Sequence, residues 1–175
     1  ATPDASPAVT AAMETPRPRS ATAGSASERR RFGVGAPGEG GSITDYAVEQ
    51  LGFDVCLDHY TDDLDEQLAA ACAEGIDVYF ENVGGKVFDA VLPLLNSKAR
   101  IPLCGLISQY NATGLPSGPD RLSMLMGTLL VKRIKMQGFI VFDDYGHRYH
   151  EFSEQMGQWL SAGKIKYQDI VHGNP

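Results

Sequence analysis

"GIDVYFENVGGKVFDAVLPLLN" (residues 75–96) decides the fold. "IDVYFENVGG" (76–85) reads as a buried strand that ends in two glycines, Gly84 and Gly85. Phe88, Leu92 and Leu95 then recur at helical spacing, which predicts a helix within 86–98 with those three side chains on one face. Pro93 falls late in that segment and is expected to kink or shorten the helix. A buried strand, a glycine turn and a helix, in that order, form the repeating unit of a parallel sheet wound by crossovers.

The same alternation continues on both sides. Upstream, "FDVCLDH" (53–59) reads as a strand. "TDDLDEQLAAACAEG" (61–75) reads as a helix, with Leu64, Leu68 and Cys72 in phase, acids in its first turn and Gly75 closing its end. Downstream, "ARIPLCGLIS" (99–108) is a further apolar strand, followed by a loop rich in Asn, Gly, Pro and Ser from Gln109 to Asp120. A third helix is expected at 121–133 and a strand at 134–143. A long helix at 145–164 is expected to turn Tyr149, Phe152, Met156, Trp159 and Leu160 inward, and "IKYQDIV" (165–171) reads as a last strand. The fold class is therefore α/β. Residues 45–175 read as a partial nucleotide-binding domain, the incomplete C-terminal part of a doubly wound, Rossmann-like parallel sheet.

Residues 1–44 differ in kind. Ala, Pro, Ser, Thr, Gly and Arg dominate, and Val9, Met13, Phe32, Val34 and Ile43 stand nearly alone as core formers. Such a segment buries too little apolar surface to offset its ordering entropy, so a disordered or non-native leader is expected. Out-of-frame translation of a G+C-rich gene is one source of such text. A transit peptide is another, against which stand the prolines and the lack of an amphipathic face. "FGVGAPGEGG" (32–41) contains a literal G-x-G-x-x-G at Gly33, Gly35 and Gly38. No apolar strand precedes it, Pro37 removes an N–H from it, and "EGGS" does not open a helix. Without strand and helix the motif does not indicate a phosphate site.

Composition narrows the function classes. The chain has 175 residues and a net charge of −7, enough for one core and no invitation to nucleic acid; the basic cluster Lys132, Arg133 and Lys135 is local. No apolar run is long enough for a membrane span. Cys56, Cys72 and Cys104 are odd in number and far apart, which fits reduced thiols in the cytoplasm and neither a disulfide framework nor a zinc site. His147 and His150 lack partners in a metal-binding pattern, and no metal is expected.

In doubly wound sheets ligands lie at the carboxyl ends of the strands. Three such ends carry suggestive residues: Asn82, Val83, Gly84 and Gly85; Cys104, Gly105, Leu106, Ile107 and Ser108; and Phe139, Ile140 and Val141. Glycine lets a flat ligand approach the backbone, and Asn82 both donates and accepts. Ordinary strand-end turns explain the glycines equally well.

Residues 75–96, 99–121 and 136–160, taken in order, resemble the zinc-independent medium-chain dehydrogenase/reductases. The likeness is to the prostaglandin reductase / leukotriene B4 12-hydroxydehydrogenase branch, and most of all to its bacterial curcumin reductases. It runs from about Tyr46 to Ile170. It implies an NADP cofactor and hydride transfer from NADPH to the carbon–carbon double bond of an α,β-unsaturated ketone or aldehyde. Quinone reduction within the same superfamily, or an inactive fragment, are the alternatives. By resemblance Asn82 contacts the cofactor, "CGLISQY" (104–110) faces nicotinamide and ribose, "FIV" (139–141) is a strand contacting the carboxamide, and Tyr110 is the catalytic or orienting residue. Tyr110 also reads as a plain surface tyrosine of a loop. A small-molecule enone as partner and a homodimer follow from the same likeness. The family's substrate domain, its Ala-x-x-Gly-x-Val-Gly loop and its basic 2′-phosphate residue are not recognisable.

Overall fold

The computed structural model describes residues 9–15, 30–35, 43–114 and 120–165. Contacts divide the chain into two units, residues 1–139 and 140–175.

In the first unit the strands are β1 (Val9–Thr15), β2 (Arg30–Gly35), β3 (Val55–Asp58), β4 (Ile76–Phe80), β5 (Leu95–Leu103) and β6 (Lys135–Gly138). Among the described residues they form one six-stranded sheet in the order β3-β2-β1-β4-β5-β6. That is the strand order of a doubly wound nucleotide-binding sheet. Helix α1 (Ile43–Glu49) connects β2 to β3, α2 (Leu64–Ala71) connects β3 to β4, α3 (Gly85–Val91) connects β4 to β5, and α4 (Leu122–Lys132) connects β5 to β6. The pairs β2–β3, β4–β5 and β5–β6 are parallel, as crossover helices require. The exception is β1, which runs antiparallel to both β2 and β4. Its carboxyl end therefore points to the opposite edge of the sheet from theirs.

Two stretches of the expected leader thus belong to the sheet. Phe32 and Val34 are fully buried in the same core as Leu64, Leu68, Ile76, Tyr79, Leu95 and Ile101. The isolated pair Phe32 and Val34, in period two, is enough for a strand once β3 offers a parallel partner. Gly33 and Gly35 of the glycine motif sit within β2, while Gly38 and the rest of 36–42 lie outside the described residues.

The helix after β4 ends early, at Val91, and Leu92–Leu94 form a single 3-10 turn with Pro93 inside it. Leu95 belongs to β5, so the helix does not continue to 98 as the spacing predicts. Lys132 closes the break: its Nζ donates to the carbonyls of Pro93 (2.9 Å) and Leu95 (2.7 Å). These carbonyls have no helical donor, and an ammonium supplies one.

The strand expected over 134–143 also ends early, at Gly138. The Phe139 N–H still donates to the Leu103 carbonyl (3.2 Å). Ile140 and Val141 then enter the second unit, where α5 (Val141–Tyr145) begins. Asp144 is the reason: its Oδ2 accepts the Ile140 N–H at 2.8 Å, satisfying a helix-start donor. A 3-10 turn, Gly146–Arg148, leads to α6 (Tyr149–Ser161). Tyr149, Phe152, Trp159 and Leu160 are exposed on α6 instead of inward. The stripe exists as the periodicity predicts, but among the described residues this unit holds no further element to cover it. The expected last strand, 165–171, lies outside the described residues beyond Ile165.

Candidate functional site

The site is built where β4 and β5 end side by side. Beyond Phe80 the chain makes one more parallel bridge, Glu81 to Leu103, and the two strand-end loops then bind each other. The Glu81 carbonyl accepts the N–H groups of Cys104 (2.8 Å) and Gly105 (3.3 Å). The Asn82 carbonyl accepts the Ile107 N–H (3.1 Å), and the Val83 carbonyl accepts that of Ser108 (3.0 Å). Residues 81–83 and 104–108 are therefore one hydrogen-bonded platform. Ile107–Gln109 form a 3-10 turn that carries the chain to Tyr110.

Two glycines shape the upper surface of this platform. Gly105 lies directly beneath two polar side chains: a Cβ there would stand 2.6 Å from Asn82 Oδ1 and 2.7 Å from Tyr110 Oη. The amide and the phenol thus converge on one point, and only a residue without a side chain leaves them room. Gly84 has φ 76° and ψ −163°, a conformation open essentially to glycine alone. A Cβ on it would press on Leu106 Cδ2 (3.1 Å) and Ser108 Oγ (3.2 Å).

The two loops bring Asn82, Gly84, Cys104, Gly105, Leu106, Ile107, Ser108 and Tyr110 together. Asn82 is half-buried, and Tyr110 is exposed. Val83 sits lower, in the core cluster at 7% exposure, with its N–H and carbonyl both engaged in the platform. Phe139 reaches β4 through an edge-on ring contact with Phe80, centroids 6.2 Å apart. Ile140 and Val141 are exposed residues of the second unit.

Sequence reasoning passed over Glu81. Its side chain is fully buried, yet every oxygen is used. Oε1 accepts the N–H groups of Val83 (2.6 Å) and Gly84 (2.9 Å), and Oε2 accepts the Tyr79 hydroxyl (2.9 Å). Burial, with the neighbouring Glu81 charge and this hydrogen bond, pushes the Tyr79 phenol far above its ordinary range, so it stays a donor. A signal was present: Tyr79 and Glu81 share the inward face of β4 by the period of two, and an acid in phase with a core needs donors.

Metal chemistry finds no support in the side chains. Among the described residues no group of three or more His, Cys, Asp or Glu could hold a metal ion. His150 instead lies beside Glu154 (3.3 Å) on α6. Among the described residues, no helix is long and apolar enough to cross a membrane.

Comparison with known proteins gives this geometry a family. A profile described as zinc-binding dehydrogenase matches residues 44–162. The NADPH-dependent curcumin reductase of Escherichia coli (strain K12) is 67% identical over 126 residues, which are 72% of this chain and 36% of that protein. The 2-alkenal reductase (NADP(+)-dependent) of Nicotiana tabacum is 40% identical over 142 residues, 80% of this chain and 39% of that protein. The chain therefore spans well under half the length of these curated relatives. The crystal structure of CurA in complex with NADPH from Vibrio vulnificus superposes with a TM-score of 0.71 at 67% identity, covering 78% of this chain and 40% of that one. Among the described residues no set of side chains fits the metal named in the family's description. The chain belongs to the zinc-binding dehydrogenase family, among the medium-chain dehydrogenase/reductases that include the bacterial curcumin reductases.

Proposed function

We propose that this chain supplies the nicotinamide side of an NADPH-dependent reductase acting on the carbon–carbon double bond of α,β-unsaturated ketones and aldehydes. The observation that carries the reading is the convergence of Asn82 and Tyr110 over Gly105 at the adjoining carboxyl ends of β4 and β5. That is where a doubly wound sheet holds a nucleotide. The relatives' names supply the chemistry: one is an NADPH-dependent curcumin reductase and another an NADP(+)-dependent 2-alkenal reductase.

NADPH, when bound, supplies a hydride. The remaining work falls to this chain. The missing side chain at Gly105 leaves room for the Asn82 amide and the Tyr110 hydroxyl to converge. The Asn82 amide offers a donor and an acceptor to ribose or carboxamide. The Tyr110 hydroxyl is placed to donate to a ribose hydroxyl or to the substrate's carbonyl oxygen, where negative charge develops as hydride arrives. The hydrogen-bonded platform fixes the main chain that carries these groups. A cytoplasmic location and a homodimer belong to this reading; Cys56 and Cys104, present as thiols, support the first.

Incubation of the chain with NADPH and a simple enone tests it. The expected result is loss of NADPH matched by formation of the saturated ketone, weakened in Tyr110→Phe and Asn82→Ala. Formation of the allylic alcohol, or turnover of a quinone but not of the enone, would contradict the reading.

A further inference from the structure

We propose that Glu81 is a positioning residue whose buried carboxylate sets the shape of the cofactor platform. This rests on the functional reading above, because the platform is what Glu81 shapes.

A chain leaving a strand at Asn82-Val83-Gly84-Gly85 has N–H groups free to point at a ligand. Here two of them point inward instead: the N–H groups of Val83 and Gly84 both end on Glu81 Oε1. All three partners of the carboxylate are donors, the set that an acceptor-only group takes. The same residue's main-chain carbonyl holds Cys104 and Gly105 of the facing loop. One residue therefore fixes both halves of the platform, one with its side chain and one with its backbone.

The consequence is geometric. Pulling two successive N–H groups down onto one oxygen turns the chain sharply, and Gly84 takes up that turn at φ 76°. The Asn82 and Val83 carbonyls then face residues 107 and 108, which sets the course of the chain to Tyr110. Glu81 touches neither Asn82 Oδ1 nor Tyr110 Oη, so it acts through the turn. Tyr79 is different in kind. It donates to the other oxygen from within the core and takes no part in turning the loop. That difference separates a positioning role from a merely structural one.

The test uses the full chain, NADPH as probe, and three variants: Glu81→Asp, Glu81→Gln and Tyr79→Phe. Aspartate keeps the charge and draws the acceptor back by one methylene, by ~1.5 Å, a misplacement of the size that costs tenfold or more. Glutamine keeps an oxygen at the original reach for the two N–H groups. Calorimetric titration is expected to show NADPH affinity about tenfold weaker in Glu81→Asp and within about threefold of the parent in Glu81→Gln. Tyr79→Phe should lower the melting temperature and leave affinity within about twofold. Hydrogen exchange at the Val83 and Gly84 amides should quicken in Glu81→Asp and not in Tyr79→Phe. Parent-like affinity and exchange in Glu81→Asp would overturn the proposal, as would an equal loss of affinity in Tyr79→Phe. If the parent itself binds no NADPH, the functional reading fails. The exchange rates at Val83 and Gly84 then decide the role of Glu81 alone, and unchanged rates in Glu81→Asp would overturn it.

Discussion

Replacing Gly105 by alanine adds one methyl group at the point where the proposed site converges. That carbon would lie 2.6 Å from Asn82 Oδ1 and 2.7 Å from Tyr110 Oη. Ordinary contact begins at 3.4 Å, so each polar atom must retreat by roughly 0.7 Å or more. Stability should hardly register this. Gly105 is not among the glycines with positive φ, so its backbone accepts alanine, and the unfolded chain loses freedom worth about 0.4–1 kcal/mol in favour of folding. Tyr110 is 68% exposed and can swing into water, which keeps the overpacking cost near the low end of about 1–3 kcal/mol. The two terms nearly cancel, and unfolding free energy should stay within about 1 kcal/mol of the parent. Binding should respond differently. Both recognition groups are displaced together, so NADPH affinity should fall at least about tenfold. Scanning calorimetry for stability and titration calorimetry for affinity check the two halves. An unchanged affinity at unchanged stability would refute the idea that Gly105 is bare so that Asn82 and Tyr110 can converge on a cofactor.

Gly84→Ala should cost stability directly: its φ of 76° and ψ of −163° exclude alanine, and urea melts should lose about 1–3 kcal/mol. Leu68→Ala empties a fully buried position of α2 and should cost about 2–5 kcal/mol in the same melts, with NADPH affinity kept in the folded fraction. Burial raises the Cys56 thiol from 9.0 to about 11. Its folded value lies above its unfolded one, so its contribution is complete below pH 9 and is lost as pH rises through 11. Urea midpoints should therefore fall more steeply over that window in the parent than in Cys56→Ala. A parallel pH dependence in the two proteins would count against the buried thiol.

Much of this architecture was legible because strands and helices alternate with clean periods. Leu64, Leu68 and Cys72 are buried as their spacing predicts, and Pro93 ends a helix as its missing N–H requires. The errors have separate causes. β2 was obscured because only Phe32 and Val34 of its residues are core formers, and composition outweighed their alternation. The end of β6 depended on a single side chain, Asp144, bonding back to the Ile140 N–H. The stripe on α6 was read correctly as a stripe, but a period shows which side chains share a face and not whether another element meets it. At the site, Asn82 and Gly105 were singled out by their place at the ends of strands and Tyr110 by resemblance, while no local pattern says that the two loops will meet. Glu81 was missed because an acid next to a loop reads as solvated. Its phase with Tyr79 on the inward face of β4 was the contrary sign.

The central claim is that NADPH lies on the platform joining residues 81–85 to 104–110. Titration of the isotopically labelled chain with NADPH, followed by two-dimensional NMR, tests it most directly. The account predicts saturable shifts at the Asn82 side-chain amide and at the backbone amides of Gly84, Gly85 and Gly105–Tyr110, while α2 amides stay still. No saturable shift, or shifts confined to other residues, would contradict it.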